Sequence, residues 1–87
     1  MEYQVWYNNN VESFKIAEFD TLEKAKNYCK EEVKGYKTVG RYDNDYEGKG
    51  NNFRFEIYEG EPIITDEDGN IIETKDSVYE TQRYYKD

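Results

Sequence analysis

The sequence predicts an α+β fold in which one helix packs against one face of a mostly antiparallel sheet. Two features of its patterning support this class. Segments of alternating apolar and polar residues outnumber the single segment with helical spacing, and short polar turns join them in the order β-β-α-β-β-β-β. The composition adds a third feature, because Leu, Ile, Val and Phe supply only 16 of the 87 residues whereas tyrosine supplies 10. Each aromatic side chain can bury about 150–250 Å², so we expect one domain, residues 1–87, with an aromatic-rich core.

The first predicted elements are the two strands of a hairpin. Residues 2–7 alternate between two faces, one of which carries Tyr3, Val5 and Tyr7. Three asparagines at 8–10 predict a turn, because asparagine tolerates left-handed backbone angles. Alternation resumes at Phe14 and Ile16 and continues to residue 19, which predicts an antiparallel partner for the first strand.

Residues 21–34 form the clearest helical segment. One face carries apolar side chains at helical spacing, namely Leu22, Ala25, Cys29, Val33 and Tyr36. Asp20 is the expected N-cap, and Glu23 three positions later would complete a capping box. Gly35 stands where the end of a helix favours a positive φ angle. We expect this helical face and the apolar faces of the strands to form the core.

Four further strands are predicted after the helix. A weak strand at 36–42, interrupted by Gly40, precedes a polar loop at 43–52. The strongest strand follows at 53–58, with one face formed by Phe53, Phe55 and Ile57. Two short apolar runs, at 63–64 and 71–72, flank a turn that contains glycine and therefore predict a hairpin.

The tail, residues 76–87, has three interpretations. Ser77 and Glu80 have the spacing of a capping box, which would open a short helix. Alternation of Tyr79, Thr81, Arg83 and Tyr85 would instead form an edge strand. A disordered tail is the third interpretation.

Negative charge is concentrated in the second half of the chain. Residues 1–41 carry seven acidic and seven basic side chains, whereas residues 42–87 carry thirteen acidic and five basic ones, which accounts for the whole net charge of −8. Such a field disfavours nucleic acid and anionic membranes as direct partners. It attracts a basic surface. The simplest alternative is that the acidic surface serves solubility.

The composition argues against catalysis and against bound cofactors. Without histidine the chain has no Ser-His or Cys-His pair and no histidine ligand for a metal, and one cysteine cannot form an internal disulfide. Cys29 lies on the apolar helix face, which favours a buried structural role. No leader-like or membrane-spanning apolar run is present, so we expect a cytoplasmic protein without an enzymatic activity, cofactor or membrane partner.

One acidic segment resembles the beginning of a calcium-binding loop. Asp43, Asp45 and Glu47 occupy alternate positions and Gly48 follows them. Position 12 of such a loop normally holds a bidentate glutamate, but Arg54 stands there and the flanking segments predict strands. A polar loop without metal is therefore the favoured interpretation, and calcium binding ranks third among the candidate functions.

Acidic and aromatic side chains are the expected partner-binding residues. The candidates are Trp6, Tyr42, Asp43, Asp45, Tyr46, Glu47, Tyr58, Asp66, Glu67 and Asp68. Tyrosine and tryptophan are enriched at binding hot spots, and Trp6 and Tyr58 are expected to face away from the helix. We expect a monomeric or homodimeric module that binds a protein with a basic surface. Its size and composition are typical of small inhibitors encoded by phages or mobile elements.

Nucleic-acid mimicry is a sharper form of this hypothesis. Carboxylates two residues apart, at 43, 45 and 47 and again at 66 and 68, would lie about 6.6 Å apart on one face of an extended strand. Phosphates along one DNA strand repeat on a comparable scale. Such rows would fill the basic groove of a nucleic-acid enzyme and inhibit it. The alternative function is a structural or assembly protein that self-associates through a sheet edge or an aromatic face.

Overall fold

One helix and eight strands make up the described part of the chain. The structure, a computed structural model, describes residues 2–9, 11–38 and 52–85. The elements in chain order are β1 (Tyr3–Asn9), β2 (Ser13–Phe19), α1 (Leu22–Glu32), β3 (Lys37–Thr38), β4 (Phe53–Glu59), β5 (Ile63–Thr65), β6 (Ile71–Thr74), β7 (Tyr79–Glu80) and β8 (Tyr84–Tyr85). One helix with a predominance of antiparallel strands confirms the predicted α+β class.

The main sheet is antiparallel and is built around β1 and β4. Its strands lie in the order β2-β1-β4-β8-β3, and β7 also pairs with β4. Val5 in β1 lies opposite Ala17 in β2 and Ile57 in β4. β5 and β6 form a separate two-stranded antiparallel sheet, which we call the β5–β6 hairpin. Both predicted hairpins are therefore confirmed.

The core lies between α1 and the face of the sheet that carries the alternating apolar residues. Its buried members are Val5, Ala25, Cys29, Phe53, Phe55 and Ile57. Six half-buried tyrosines pack around this set: Tyr3, Tyr7, Tyr28, Tyr36, Tyr79 and Tyr84. The helical stripe, the two apolar strand faces and the aromatic-rich core predicted from the sequence are all confirmed.

The N-cap of the helix lies one residue after the predicted N-cap. Thr21, not Asp20, is the N-cap: it has an extended backbone, and its Oγ1 accepts a hydrogen bond from the Lys24 N–H at 3.2 Å. Asp20 instead forms an ion pair with Lys24 at 3.0 Å, which lowers the pKa of its carboxyl group. The capping box that paired Asp20 with Glu23 is therefore wrong. At the other end Gly35 has a φ of 85°, as predicted.

The first strand extends two residues further than predicted, to Asn9, which belongs both to the strand ladder and to the turn that follows. It pairs with Phe53 across the β1–β4 ladder. Its side-chain Oδ1 also holds the turn, accepting hydrogen bonds from the N–H of Val11 at 2.8 Å and of Glu12 at 2.7 Å. The predicted strand at 36–42 is confirmed for Lys37–Thr38, and its remainder lies outside the described residues.

The tail forms two short strands, so the helix predicted from Ser77 is wrong. β7 and β8 both hydrogen-bond to the side of β4 that β1 leaves open. Thr81, between them, accepts a hydrogen bond on Oγ1 from the Phe55 N–H at 3.0 Å and donates its own N–H to the Phe55 carbonyl at 2.9 Å. Tyr84 lies opposite Phe53. β8 is thus an interior strand between β4 and β3, whereas β7 pairs with β4 alone among the described strands, so the edge strand of the second interpretation is confirmed for Tyr79–Glu80 and is wrong for Tyr84–Tyr85.

Candidate functional site

The outer face of the main sheet, which points away from α1, holds two of the candidate binding residues. Trp6 in β1 and Tyr58 in β4 meet edge to face, with ring centroids 6.2 Å apart and planes at 82°. Both side chains are half-buried. The Trp6 Nε1–H donates to Gln4 Oε1 at 3.0 Å, and Gln4 Nε2 donates to Glu61 Oε1 at 3.0 Å. The structure therefore brings Trp6 and Tyr58 together. The indole N–H of Trp6 already has a hydrogen-bond partner within the protein.

A charged network lies beside this aromatic pair. Arg54 donates from Nη2 to Glu56 Oε2 at 2.9 Å and forms an ion pair with Glu80 at 3.1 Å. Asn8 Nδ2 donates to Glu56 Oε1 at 3.2 Å. The Glu56 side chain is only 9% exposed, so these partners stabilise a carboxylate that has little contact with water. Burial, and then the Glu56 carboxylate, raises the pKa of Tyr58, which favours its neutral hydrogen-bonding form.

The acidic candidates Asp66, Glu67 and Asp68 lie in the turn of the β5–β6 hairpin. Asp66 Oδ1 accepts hydrogen bonds from the N–H groups of Asp68 and Asn70, each at 2.9 Å. These bonds lower the pKa of Asp66, with Asn70 the larger contributor. The extended arrangement that mimicry required at 66 and 68 is therefore wrong, because Asp66 is folded over the turn. Glu67 and Asp68 remain exposed.

The other five candidates fall outside the described residues. They are Tyr42, Asp43, Asp45, Tyr46 and Glu47, together with the segment that resembles a calcium loop. The ten predicted binding residues thus comprise a half-buried aromatic pair on the main sheet, an exposed acidic turn on the β5–β6 hairpin, and these five.

Exposed isoleucines on the β5–β6 hairpin were not predicted as binding residues. Ile63 is 46% exposed, Ile71 is 62% exposed and Ile72 is 64% exposed. Ile71 lies opposite Thr65, which is two residues from Ile63 on the other strand of the hairpin, and the ladder is irregular between Ile64 and Thr65. The paired isoleucines predicted the hairpin itself. They gave no signal that these side chains would be exposed, because apolar strand residues normally face a core.

An aromatic cleft between α1 and the main sheet was also missed. It has a volume of about 290 Å³, and the described residues that line it are six aromatic residues together with Ile16 and Glu32. The rings are Tyr7, Phe14, Tyr28, Tyr36, Phe53 and Phe55. These residues come from β1, β2, β4, α1 and the segment after α1, so their meeting depends on strand order, which the sequence pattern does not specify.

Cys29 is buried, as predicted, and is only 1% exposed. Burial, and then the nearby Glu32 carboxylate, raises the pKa of its thiol to about 11 from an ordinary 9.0. The thiolate is the reactive form. Near neutral pH this shift reduces the thiolate population about a hundredfold, which suits a structural side chain rather than a nucleophile.

We expect Cys29 to react slowly with Ellman's reagent in the folded protein. At about pH 8 the rate should be at least a hundredfold below the rate in urea, because folding removes both access and thiolate. Absorbance of the released thiolate measures both rates. A native rate close to the unfolded rate would contradict the burial of Cys29.

Within residues 2–9, 11–38 and 52–85, no group of three or more Cys, Asp or Glu side chains is placed to hold a metal ion, and no helix is long and apolar enough to cross a membrane. No family model, no curated protein and no solved structure matches the chain.

Proposed function

We propose that this protein is a non-enzymatic binding module whose β5–β6 hairpin engages a basic protein surface. The supporting observation is the charge of residues 59–76, the hairpin and its flanks. They contain a single basic residue, Lys75, and seven acidic ones: Glu59, Glu61, Asp66, Glu67, Asp68, Glu73 and Asp76. This short segment therefore has a net charge of −6 out of −8 for the whole chain. A field of one sign steers encounters with a surface of the opposite sign.

The exposed isoleucines supply the apolar contact that such an interface needs. Ile63, Ile71 and Ile72 lie among the acidic residues of the hairpin. An apolar centre with a polar rim is the usual composition of a protein–protein interface. Complete burial of one fully exposed isoleucine is worth about 1.5–3 kcal/mol. These three side chains are 46–64% exposed, so each contributes only part of that value, and the carboxylates select the partner.

Charge also distinguishes a basic partner from a second copy of this chain. The self-association alternative gains support from the same exposed isoleucines. However, two hairpins in contact would bring net charges of −6 and −6 together, and like charges in an interface are unfavourable. We therefore favour a different, basic partner. Light scattering at micromolar concentration should then give the monomer mass of 10.5 kDa.

Nucleic-acid mimicry is a more specific version of this proposal, in which the basic partner is a nucleic-acid-binding protein. Its support is the sign and density of the exposed carboxylates at Glu67, Asp68 and Glu73, not a regular row. A partner whose basic groove normally holds a phosphate backbone would bind this protein and DNA in competition. If this protein displaces labelled DNA from a captured partner, the partner's nucleic-acid groove is the binding site. A basic partner that does not bind nucleic acid would show no such displacement.

The test is capture of partners from an extract of the source cells by matched charge variants. Glu67→Lys/Glu73→Lys should abolish capture, because it reverses charge on the hairpin. Glu12→Lys/Glu31→Lys changes the net charge equally at exposed positions of the β1–β2 turn and α1 and should retain capture. Captured proteins, identified by quantitative mass spectrometry, should elute as salt rises, because screening weakens exposed charge pairs beyond about 8 Å at 0.15 M.

The apolar contribution is tested in the same assay. Ile71→Thr/Ile72→Thr preserves strand-forming residues and should weaken capture without changing its dependence on salt. Val11→Thr, at a residue that is 92% exposed in the first turn, is the control for loss of an apolar surface residue. Capture that does not depend on salt, or that both charge variants reduce equally, would refute the proposal.

A further inference from the structure

The aromatic cleft has an acidic rim. Tyr7 stacks on Phe53 with ring centroids 5.4 Å apart, and Phe14 lies against Tyr7 at 5.2 Å. Tyr28 lines the cleft from the helix. Glu32, the last residue of α1, is exposed, and no basic residue in the described part of the chain forms an ion pair with it. The cleft thus combines aromatic rings with an exposed carboxylate.

Three sources of negative potential converge on this cleft. The faces of aromatic rings attract cations through their quadrupole. The C-terminal end of α1 carries the partial negative charge of the helix dipole. Glu32 adds a full charge, and its influence within the cleft is visible in the raised pKa of Tyr28, where it is the second cause after burial. A neutral apolar ligand would use the ring faces alone, whereas a cation uses all three.

The size of the cleft limits the ligand to a small group. Its volume of about 290 Å³ is at the lower end of ligand pockets, which begin near 300 Å³. We infer that this cleft binds an alkylammonium group. None of its lining residues belongs to β5 or β6, so this inference does not depend on the hairpin's function. Either a free quaternary amine or the side chain of a lysine or methyl-lysine in a protein offers the required chemistry.

The experiment compares a cation with its neutral isostere. Choline and 3,3-dimethylbutanol differ only in the charge of the central atom, and NMR spectra of the protein follow titration with each. Choline should produce saturable shifts at millimolar concentration in the aromatic resonances of Tyr7, Phe14 and Tyr28. The isostere should bind about tenfold more weakly. Acetyl-trimethyllysine methylamide is the third probe: tighter binding than choline indicates a protein side chain, and equal or weaker binding indicates a free amine.

Matched variants test the role of the carboxylate. Glu32→Gln should weaken choline binding about two- to fivefold, as expected for an exposed charge interaction. Glu31→Gln makes the same change in net charge one residue earlier, where the carboxylate pairs with Lys34 at 3.0 Å, and should leave choline binding unchanged. Three results would overturn the inference: no shifts with either cation, equal binding of the isostere, or equal effects of the two variants.

Discussion

Replacing Phe53 by alanine is expected to lower the free energy of unfolding by about 3–5 kcal/mol. Phe53 is only 4% exposed, and its ring contacts four others: Tyr7, Tyr36, Phe55 and Tyr84. The substitution therefore leaves a cavity where β4 meets β1 and β8. At roughly 0.05–0.15 kcal/mol per residue, a chain of this size has a total stability on the order of 4–13 kcal/mol, so the loss would unfold a large fraction of a marginal protein.

Phe14→Ala is the matched control, because it deletes the same atoms from a ring that is 44% exposed. We expect it to cost about 1 kcal/mol or less, since water already contacts the ring. Urea denaturation followed by far-ultraviolet circular dichroism measures both variants. Similar midpoints for the two proteins would show that Phe53 does not hold the aromatic core together.

Replacing Arg54 by methionine is expected to cost about 2–3 kcal/mol. The substitution leaves the Glu56 carboxylate, which is 9% exposed, without its cation at 2.9 Å. Removing one partner of a buried pair typically costs 3–5 kcal/mol, and the estimate is lower here because the Arg54 side chain is 31% exposed. Chemical denaturation of the variant at neutral pH measures the loss.

A double variant separates the lost ion pair from lost packing. Arg54→Met/Glu56→Leu should be more stable than Arg54→Met alone, because no charge is then left buried. Lys24→Met removes the surface ion pair with Asp20, whose side chains are 61% and 72% exposed, and should cost less than about 1 kcal/mol. A double variant no more stable than Arg54→Met would contradict the electrostatic origin of the effect.

Features set by local sequence were predicted well. Alternation of Phe53, Phe55 and Ile57 located β4, and the glycine-containing turn located the β5–β6 hairpin, because side-chain periodicity and turn chemistry act within a few residues. The helix cap was misplaced by one residue, since aspartate and threonine are both good caps. The backbone conformation at Thr21, and the lysine that holds Asp20 elsewhere, decided between them.

Features set by strand order could not be predicted. The alternation of the tail was recognised, but the pattern did not indicate that β8 would lie between β4 and β3. For the same reason the predicted strand at 53–58 included Arg54 and Glu56 but did not indicate their partners Glu80 and Asn8 on other strands. The aromatic cleft needs three strands and α1 at once. Long-range pairing of this kind follows from the packing of the whole chain, not from any one segment.

The separation of the β5–β6 hairpin from the main sheet has a consequence for how this protein can diversify. Its two strands bond to each other and not to the main sheet, and β5 and β6 contribute no residue to the buried core. Substitutions at exposed positions such as Glu67, Ile71 and Ile72 should therefore change what the hairpin recognises at little cost to folding. Related chains would then be expected to conserve the aromatic core while their hairpins vary with the partner.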